Sequence, residues 1–370
     1  MTGGEKVFLQ LVDNVSKLQV HEILIVAPKF IKHKLENQGN FSNKNIRFKS
    51  IDLINNTDFI EKNVFLLYFL RSIKLFLLLI QKRPHIILNN DDNVLFILVI
   101  TFYIKVFKPK TRYFQNFFHM SKSCERRKGF HSRIYLVSQK IVLQLIMKST
   151  TIIVINQTVE RFFRQNFKNK LIRLKLGLSI GDIDILKKTN NQIIENEYDI
   201  AWVGRLTSSK GIMDLIEILK LTAERGAIMS LILIGRVSKN ISNLIDENLG
   251  PYTENGKLRL KFLEYQVNMQ EVFENLKKAN TLVLTSREEG FSFVILEALN
   301  LKLNVVCWDL TTLREIYGEN LTYIKKFSYN NFSSAIIEAQ NIGSQISEIE
   351  LNRLNRIDFS LLNSELSSNR

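Results

Sequence analysis

Short apolar runs alternate with longer stretches of helical period, and the alternation fills the chain twice over. In the first half, the runs at 22–27, 46–53, 85–89, 112–115, 151–155 and 171–176 read as strands, because each is brief and bounded by polar or turn-forming residues. In the second half the corresponding runs lie at 199–204, 230–235, 259–263, 281–285, 304–307 and 321–324. Helix-period stretches separate most of them; one places Ile212, Leu215, Ile216 and Leu219 on a single face. Alternation of this kind predicts parallel sheets joined by right-handed crossovers, here two Rossmann-like sheets. The polar segment 181–197, rich in Asn, Asp and Lys, is the expected linker. It divides the chain into domains at 1–180 and 181–350, and a last helix around 351–366 is left to return to the first domain.

Two strand-to-helix junctions in the second half carry the candidate chemistry. At the first, a strand ends at Gly204, Arg205 follows it, and Lys210-Gly211 opens a helix. Both cations therefore project from the carboxyl edge of a parallel sheet, where ligands of open α/β sheets bind. At the second, Thr285-Ser286-Arg287-Glu288-Glu289-Gly290 leads into Phe291-Ser292-Phe293-Val294-Ile295-Leu296-Glu297-Ala298-Leu299. A helix N-terminus after a tight turn offers unpaired N–H groups to an anion. Glu297 sits in a stretch so apolar that burying it requires a polar partner. Glu289 and Glu297 are separated by roughly 12 Å of helical rise, too far to work on one reacting centre as an acid and base. They suit the two ends of an elongated ligand with a negative middle, and a nucleotide-sugar has that layout.

The segment Val203-Gly204-Arg205-Leu206 with Lys210-Gly211, and Ser286 with Glu289-Gly290-Phe291-Ser292 and Glu297-Ala298, resemble the retaining glycosyltransferases of family 4. The resemblance implies the GT-B fold, two Rossmann-like domains facing across a cleft. It implies that Arg205 and Lys210 bind the donor diphosphate, that Glu289 contacts the transferred sugar and Glu297 the ribose, and that the backbone around Gly290, Phe291, Ser292 and Phe293 completes the contacts. It further implies a catalytic histidine, best matched by His119, with Tyr265 a candidate contact to the base and no metal or other cofactor.

Composition is that of a folded protein long enough for two cores, with 45% apolar and 24% charged residues over 370 positions. Cys124 and Cys307 lie in no metal-ligand pattern, which points to a reduced, cytoplasmic setting. Charge changes the picture more. Residues 1–190 hold 32 Lys+Arg against 13 Asp+Glu, a net of +19, whereas residues 191–370 carry a net of −4. The excess is densest from Lys105 to Arg133, among aromatics, as expected for contact with an anionic membrane surface rather than nucleic acid. The apolar stretches 65–80 and 93–104 are too short or too interrupted by charge, at Arg71 and Lys74, to span a bilayer. Helices covering a sheet and partial insertion into a membrane both fit them.

Two departures from the family pattern stand out. Gly3-Gly4 resembles the glycine-rich loop that faces the acceptor, yet no strand precedes it, so the first sheet is expected to lack its central strand. The turn glycine that ordinarily precedes the strand after Glu297 is absent from Leu301-Lys302-Leu303. The expected activity is retaining transfer of a sugar from a nucleotide-diphosphate donor to a polar acceptor, such as a lipid-linked glycan in surface polysaccharide assembly. A non-catalytic GT-B partner subunit and a nucleotide-sugar epimerase are the alternatives.

Overall fold

The computed structural model describes residues 3–18, 22–27, 46–51, 64–90, 93–108, 110–117, 150–264, 268–340 and 346–367. The chain folds as two compact units. One comprises Lys175–Asp358, and the other comprises Thr2–Leu174 with Phe359–Arg370.

In the unit Lys175–Asp358, six parallel strands form one sheet: β7 (Tyr198–Val203), β8 (Met229–Ile234), β9 (Leu258–Leu263), β10 (Ala279–Leu284), β11 (Asn304–Trp308) and β12 (Thr322–Ile324). Their order is β12-β11-β10-β7-β8-β9. The chain winds outward from β7 through β8 and β9, then returns to the other side of β7 and winds the opposite way. The strand order therefore reverses between β7 and β10, the position where ligands bind in such sheets. Strands covered on both faces must be apolar throughout, and Met229–Ile234 and Ala279–Leu284 are buried almost end to end. Trp202, Trp308, Tyr317, Phe273 and Phe332 are the largest fully buried side chains of this unit.

Three local outcomes differ from the sequence expectation. Much of the expected linker is a helix, Ile180–Asn190, whose end is anchored: Lys277 donates to the carbonyls of Thr189, Asn190 and Gln192 at 2.8–3.0 Å. A lysine on these carbonyls also faces the negative end of the helix dipole. The expected final helix is two, Glu348–Asn355 and Ser360–Ser367, because Asp358 leaves helical geometry to pair antiparallel with Lys175. Gly177 permits this approach, since a Cβ there would lie 2.1 Å from the Asn355 carbonyl oxygen. Gly177→Ala is expected to cost about 2 kcal/mol, measurable by denaturant titration, because both partners are backbone.

The third concerns the missing turn glycine. The helix Phe293–Asn300 ends in a Schellman motif, with Leu303 N–H donating to Ala298 and Lys302 N–H to Leu299. Lys302 takes the left-handed position, at φ 63°, where glycine carries no Cβ penalty. Lys302→Gly is therefore expected to raise stability by up to about 1 kcal/mol, read as a later midpoint in a thermal melt.

The described strands of the other unit form two separate parallel sheets where one was expected. β1 (Ile23–Ala27) pairs with β2 (Ile46–Ser50), while β3 (Ile86–Asn89), β4 (Arg112–Phe117), β5 (Thr150–Val154) and β6 (Leu171–Arg173) form the second. No described strand bonds to both β1 and β3. Gly3 and Gly4 do not form a loop; they open helix α1 (Gly3–Ser16). The reason is packing, since Val7, Leu11 and Val12 recur at helical spacing and are buried. Helices α2 (Val64–Lys82) and α3 (Val94–Phe107) cover the four-stranded sheet through Leu79, Ile97, Ile100 and Tyr103. No helix among the described residues is long and apolar enough to cross a membrane.

Candidate functional site

The two junctions singled out in the sequence follow the two strands that flank the reversal of strand order. After β7 the chain passes Gly204, exposed Arg205 and a 3-10 turn, Ser208–Lys210, into the helix Ile212–Glu224. After β10 it passes residues 285–292 into the helix Phe293–Asn300. The neighbouring register of β7 and β10, with Ala201 beside Leu282, brings segments some eighty residues apart to one edge.

At that edge the Lys210 ammonium donates to the Glu289 carboxylate at 2.6 Å. Only 8% of the glutamate side chain is exposed, against 32% of the lysine. The nearly buried carboxylate thus has its charge balanced, while the ammonium keeps part of its surface for a further anion. The backbone beneath is stitched as well. Trp202 Nε1 donates to Thr285 Oγ1 at 3.2 Å, Thr285 Oγ1 donates to the Lys210 carbonyl at 3.2 Å, and the Arg287 N–H donates to the Ser209 carbonyl at 3.3 Å. Gly211 makes the approach possible: it is left-handed at φ 76°, and a Cβ on it would lie 1.8 Å from the Thr285 oxygen.

A second ion pair fixes the loop that carries Glu289. Arg287 grips Asp214 with two bonds, Nε to Oδ2 at 2.9 Å and a terminal nitrogen to Oδ1 at 2.7 Å. Asp214 is 1% exposed, and the Tyr329 hydroxyl donates to it at 3.1 Å. The hydrogen bonds to Asp214 hold the Arg287 pKa above its ordinary value, and burial followed by the Asp214 charge raises that of Tyr329. Lys326 donates to the Arg287 carbonyl at 2.7 Å, and Thr312 to the Glu289 carbonyl at 2.7 Å.

The helix after the loop places Glu297 at 5% exposure. Ser292, at the N-cap, makes no side-chain cap bond; instead its carbonyl accepts from the buried Tyr317 hydroxyl at 2.6 Å. Burial, then the charges of Glu289 and Glu297, push the Tyr317 pKa well above the ordinary tyrosine value. Both carboxylates therefore act on one phenol. Phe291 and Phe293 meet edge to face at 4.8 Å and close the apolar side of the turn. Ser286 Oγ is buried with no hydrogen-bond partner among the described residues, leaving a polar atom beside the loop for a ligand or water to satisfy.

The site thus gathers Lys210, Glu289, Gly290, Phe291, Ser292, Phe293 and Glu297 within one unit, with Arg205 at the same sheet edge. His119 and Tyr265 lie outside the described residues. Sequence reasoning missed Asp214, Thr312, Tyr317 and Tyr329. Asp214 alone left a signal, a carboxylate within an otherwise apolar helical face.

Comparison with known proteins gives a family-model match and likenesses in sequence and fold. Residues 197–341 match the family model described as glycosyl transferases group 1. An uncharacterized glycosyltransferase of Methanocaldococcus jannaschii is 26% identical over 271 residues, covering 70% of this chain and 64% of the relative. The capsular polysaccharide biosynthesis glycosyltransferase CapM of Staphylococcus aureus is 25% identical over 248 residues, 63% of each chain. The match thus spans just under two thirds of the length of either relative. Among solved structures, Anabaena HepE in complex with UDP-glucose has a TM-score of 0.66 at 14% identity, covering 100% of this chain and 97% of that one. WaaG, a glycosyltransferase involved in lipopolysaccharide biosynthesis, has a TM-score of 0.62 at 13% identity, covering 96% and 91%. The fold is GT-B, with parallel sheets in both units.

Proposed function

We propose that the chain, whose residues 197–341 match the family model described as glycosyl transferases group 1, is a retaining glycosyltransferase that uses a nucleoside diphosphate sugar. The observation that carries this reading is the Lys210–Glu289 pair at the switch point of the sheet, 2.6 Å apart, with Arg205 exposed on the same edge. Lys210 and Arg205 bind the diphosphate, and between them they supply the positive charge it needs without a metal ion or other cofactor. Glu289 and the backbone from Gly290 to Phe293 hold the sugar, and Glu297 the ribose. The uncapped amino end of the helix Phe293–Asn300 faces the negative middle of the donor.

In the reaction, the bond from the anomeric carbon to the diphosphate oxygen breaks as the acceptor oxygen bonds to the same face. The acceptor proton passes to the departing phosphate, and His119 assists at the sugar. Arg205 and Lys210 stabilise the charge that grows on the leaving group. The acceptor is a polar, lipid-linked glycan in surface polysaccharide assembly, a reading supported by the capsular role of the CapM relative. The net charge of +19 over residues 1–190 holds the enzyme peripherally at the cytoplasmic face of an anionic membrane, where such acceptors reside.

The test is release of free nucleotide from UDP-, GDP- and ADP-sugars, with and without lipid-linked acceptor. Release that rises with acceptor and persists in chelator is expected. No release from any donor would instead identify a non-catalytic partner subunit, and an altered sugar without release an epimerase.

A further inference from the structure

Helices α2 and α3 each bury one face on the four-stranded sheet, and physical chemistry predicts a polar face on the other side. The structure has the opposite. Phe69, Ile73 and Leu77 recur every fourth residue along α2 and are exposed, as are Leu98, Phe102 and Val106 along α3. Fourfold spacing aligns each trio in a stripe about 12 Å long. The stripes adjoin, because the helices pack side by side in the same direction: Tyr68 meets Phe96 at 5.7 Å, and Phe76 meets Phe102 at 5.9 Å. Phe107, also exposed, extends the surface and lies 5.9 Å from Phe76. Seven of the fifteen exposed large apolar side chains among the described residues fall on these two helices, so this is a patch and not the usual scatter.

Charge selects the occupant. Residues 64–117 hold eight Lys and Arg and two Asp, and neither helix contains an acidic residue. Lys82, Arg83, Lys105 and Lys110 are exposed at or just beyond the carboxyl ends of the two helices. A second copy of the chain would bring like charges together around the patch. An anionic bilayer would meet them with phosphate and accept the apolar stripes between its headgroups.

We infer that the outer face of α2 and α3 is a bilayer-docking surface that inserts Phe69, Ile73, Leu77, Leu98, Phe102 and Val106 among the acyl chains of an anionic leaflet. The inference rests on the peripheral membrane association proposed above and deepens it from surface attraction to insertion. The consequence is that binding outlasts electrostatic screening: salt weakens the contribution of the cations, and the inserted side chains retain the protein.

The experiment uses the full chain and vesicles of phosphatidylcholine with or without phosphatidylglycerol. Phe102→Trp keeps the surface apolar and reports insertion. Its fluorescence is expected to shift to the blue on anionic vesicles and to be quenched by lipids brominated along the acyl chain. The double variant Leu77→Glu, Phe102→Glu is expected to bind at least about tenfold more weakly at physiological salt, because charge is expelled from the apolar layer. Its nucleotide release from a soluble UDP-sugar should stay at the parent level. An unshifted, unquenched tryptophan on vesicles that do bind the protein would overturn the inference, as would sedimentation showing a dimer that the double variant dissolves. Loss of nucleotide release in the parent protein would count against the proposed chemistry and leave the vesicle result intact, so the two failures are distinguishable.

Discussion

Lys210→Ala is expected to reduce nucleotide release from a bound UDP-sugar by roughly 100- to 1,000-fold, the usual consequence of removing one preorganised group from developing charge. The effect should fall mainly on kcat, because the leaving group carries more charge in the transition state than in the bound donor. Stability changes for a different reason. The substitution leaves the Glu289 carboxylate, 8% exposed, without the ammonium 2.6 Å away. The unpaired carboxylate is then expected to cost about 1–3 kcal/mol. The double variant Lys210→Ala, Glu289→Gln separates the two losses, since it removes the unpaired charge while leaving the diphosphate without its lysine. Its melting temperature should recover towards that of the parent and its turnover should not. A double variant that regains turnover would show that Lys210 serves only to hold Glu289, and the proposed role in the leaving group would be wrong.

Asp214→Ala is expected to have the largest effect on stability, and to act on the donor site from beneath. Arg287 makes both of its side-chain hydrogen bonds to this buried carboxylate, and Tyr329 makes a third contact. Removing one partner of such a pair costs about 3–5 kcal/mol where the charge left behind is buried. Arg287 is 30% exposed, so water relieves part of the cost and the lower end is expected. In a unit of this size that corresponds to a fall of roughly 6–12 °C in melting temperature. Glu289 rides two residues after Arg287, and its carbonyl is held by Thr312. Loosening the clamp should therefore raise the donor KM several-fold, whereas Asp214→Asn, which retains an acceptor for Arg287, should recover much of both losses. Equal KM values in the two variants, alongside different melting temperatures, would confine the clamp to a structural role.

The chain pattern alone made much of this legible. All twelve described strands lie where short runs of strand character place them: strands buried almost end to end, such as Met229–Ile234, show it in composition, and half-exposed ones, such as Ile46–Ser50, in alternation. The junctions at 204–211 and 285–297 were legible for a related reason: a strand, a polar turn and a helix start leave a local signature. Lys302 shows where such reading stops. The missing glycine was visible, but only hydrogen bonding by Leu303 and Lys302 to the end of the preceding helix holds a lysine in the left-handed position. The linker at 181–197 failed for the same reason, since the carbonyls that Lys277 caps lie more than eighty residues away in sequence.

What the sequence determined was the identity of the elements and the chemistry each could carry, both functions of composition and spacing over a few turns. Which elements become neighbours was decided only in the tertiary structure. Setting β10 against β7 converts four unrelated residues, Lys210, Asp214, Arg287 and Glu289, into two ion pairs, one facing ligand and one holding the loop. Likewise, packing α2 against α3 turns two apolar helices of ordinary length into one exposed surface. Propensity and period are local, whereas charge pairing and burial depend on distances that only the fold fixes.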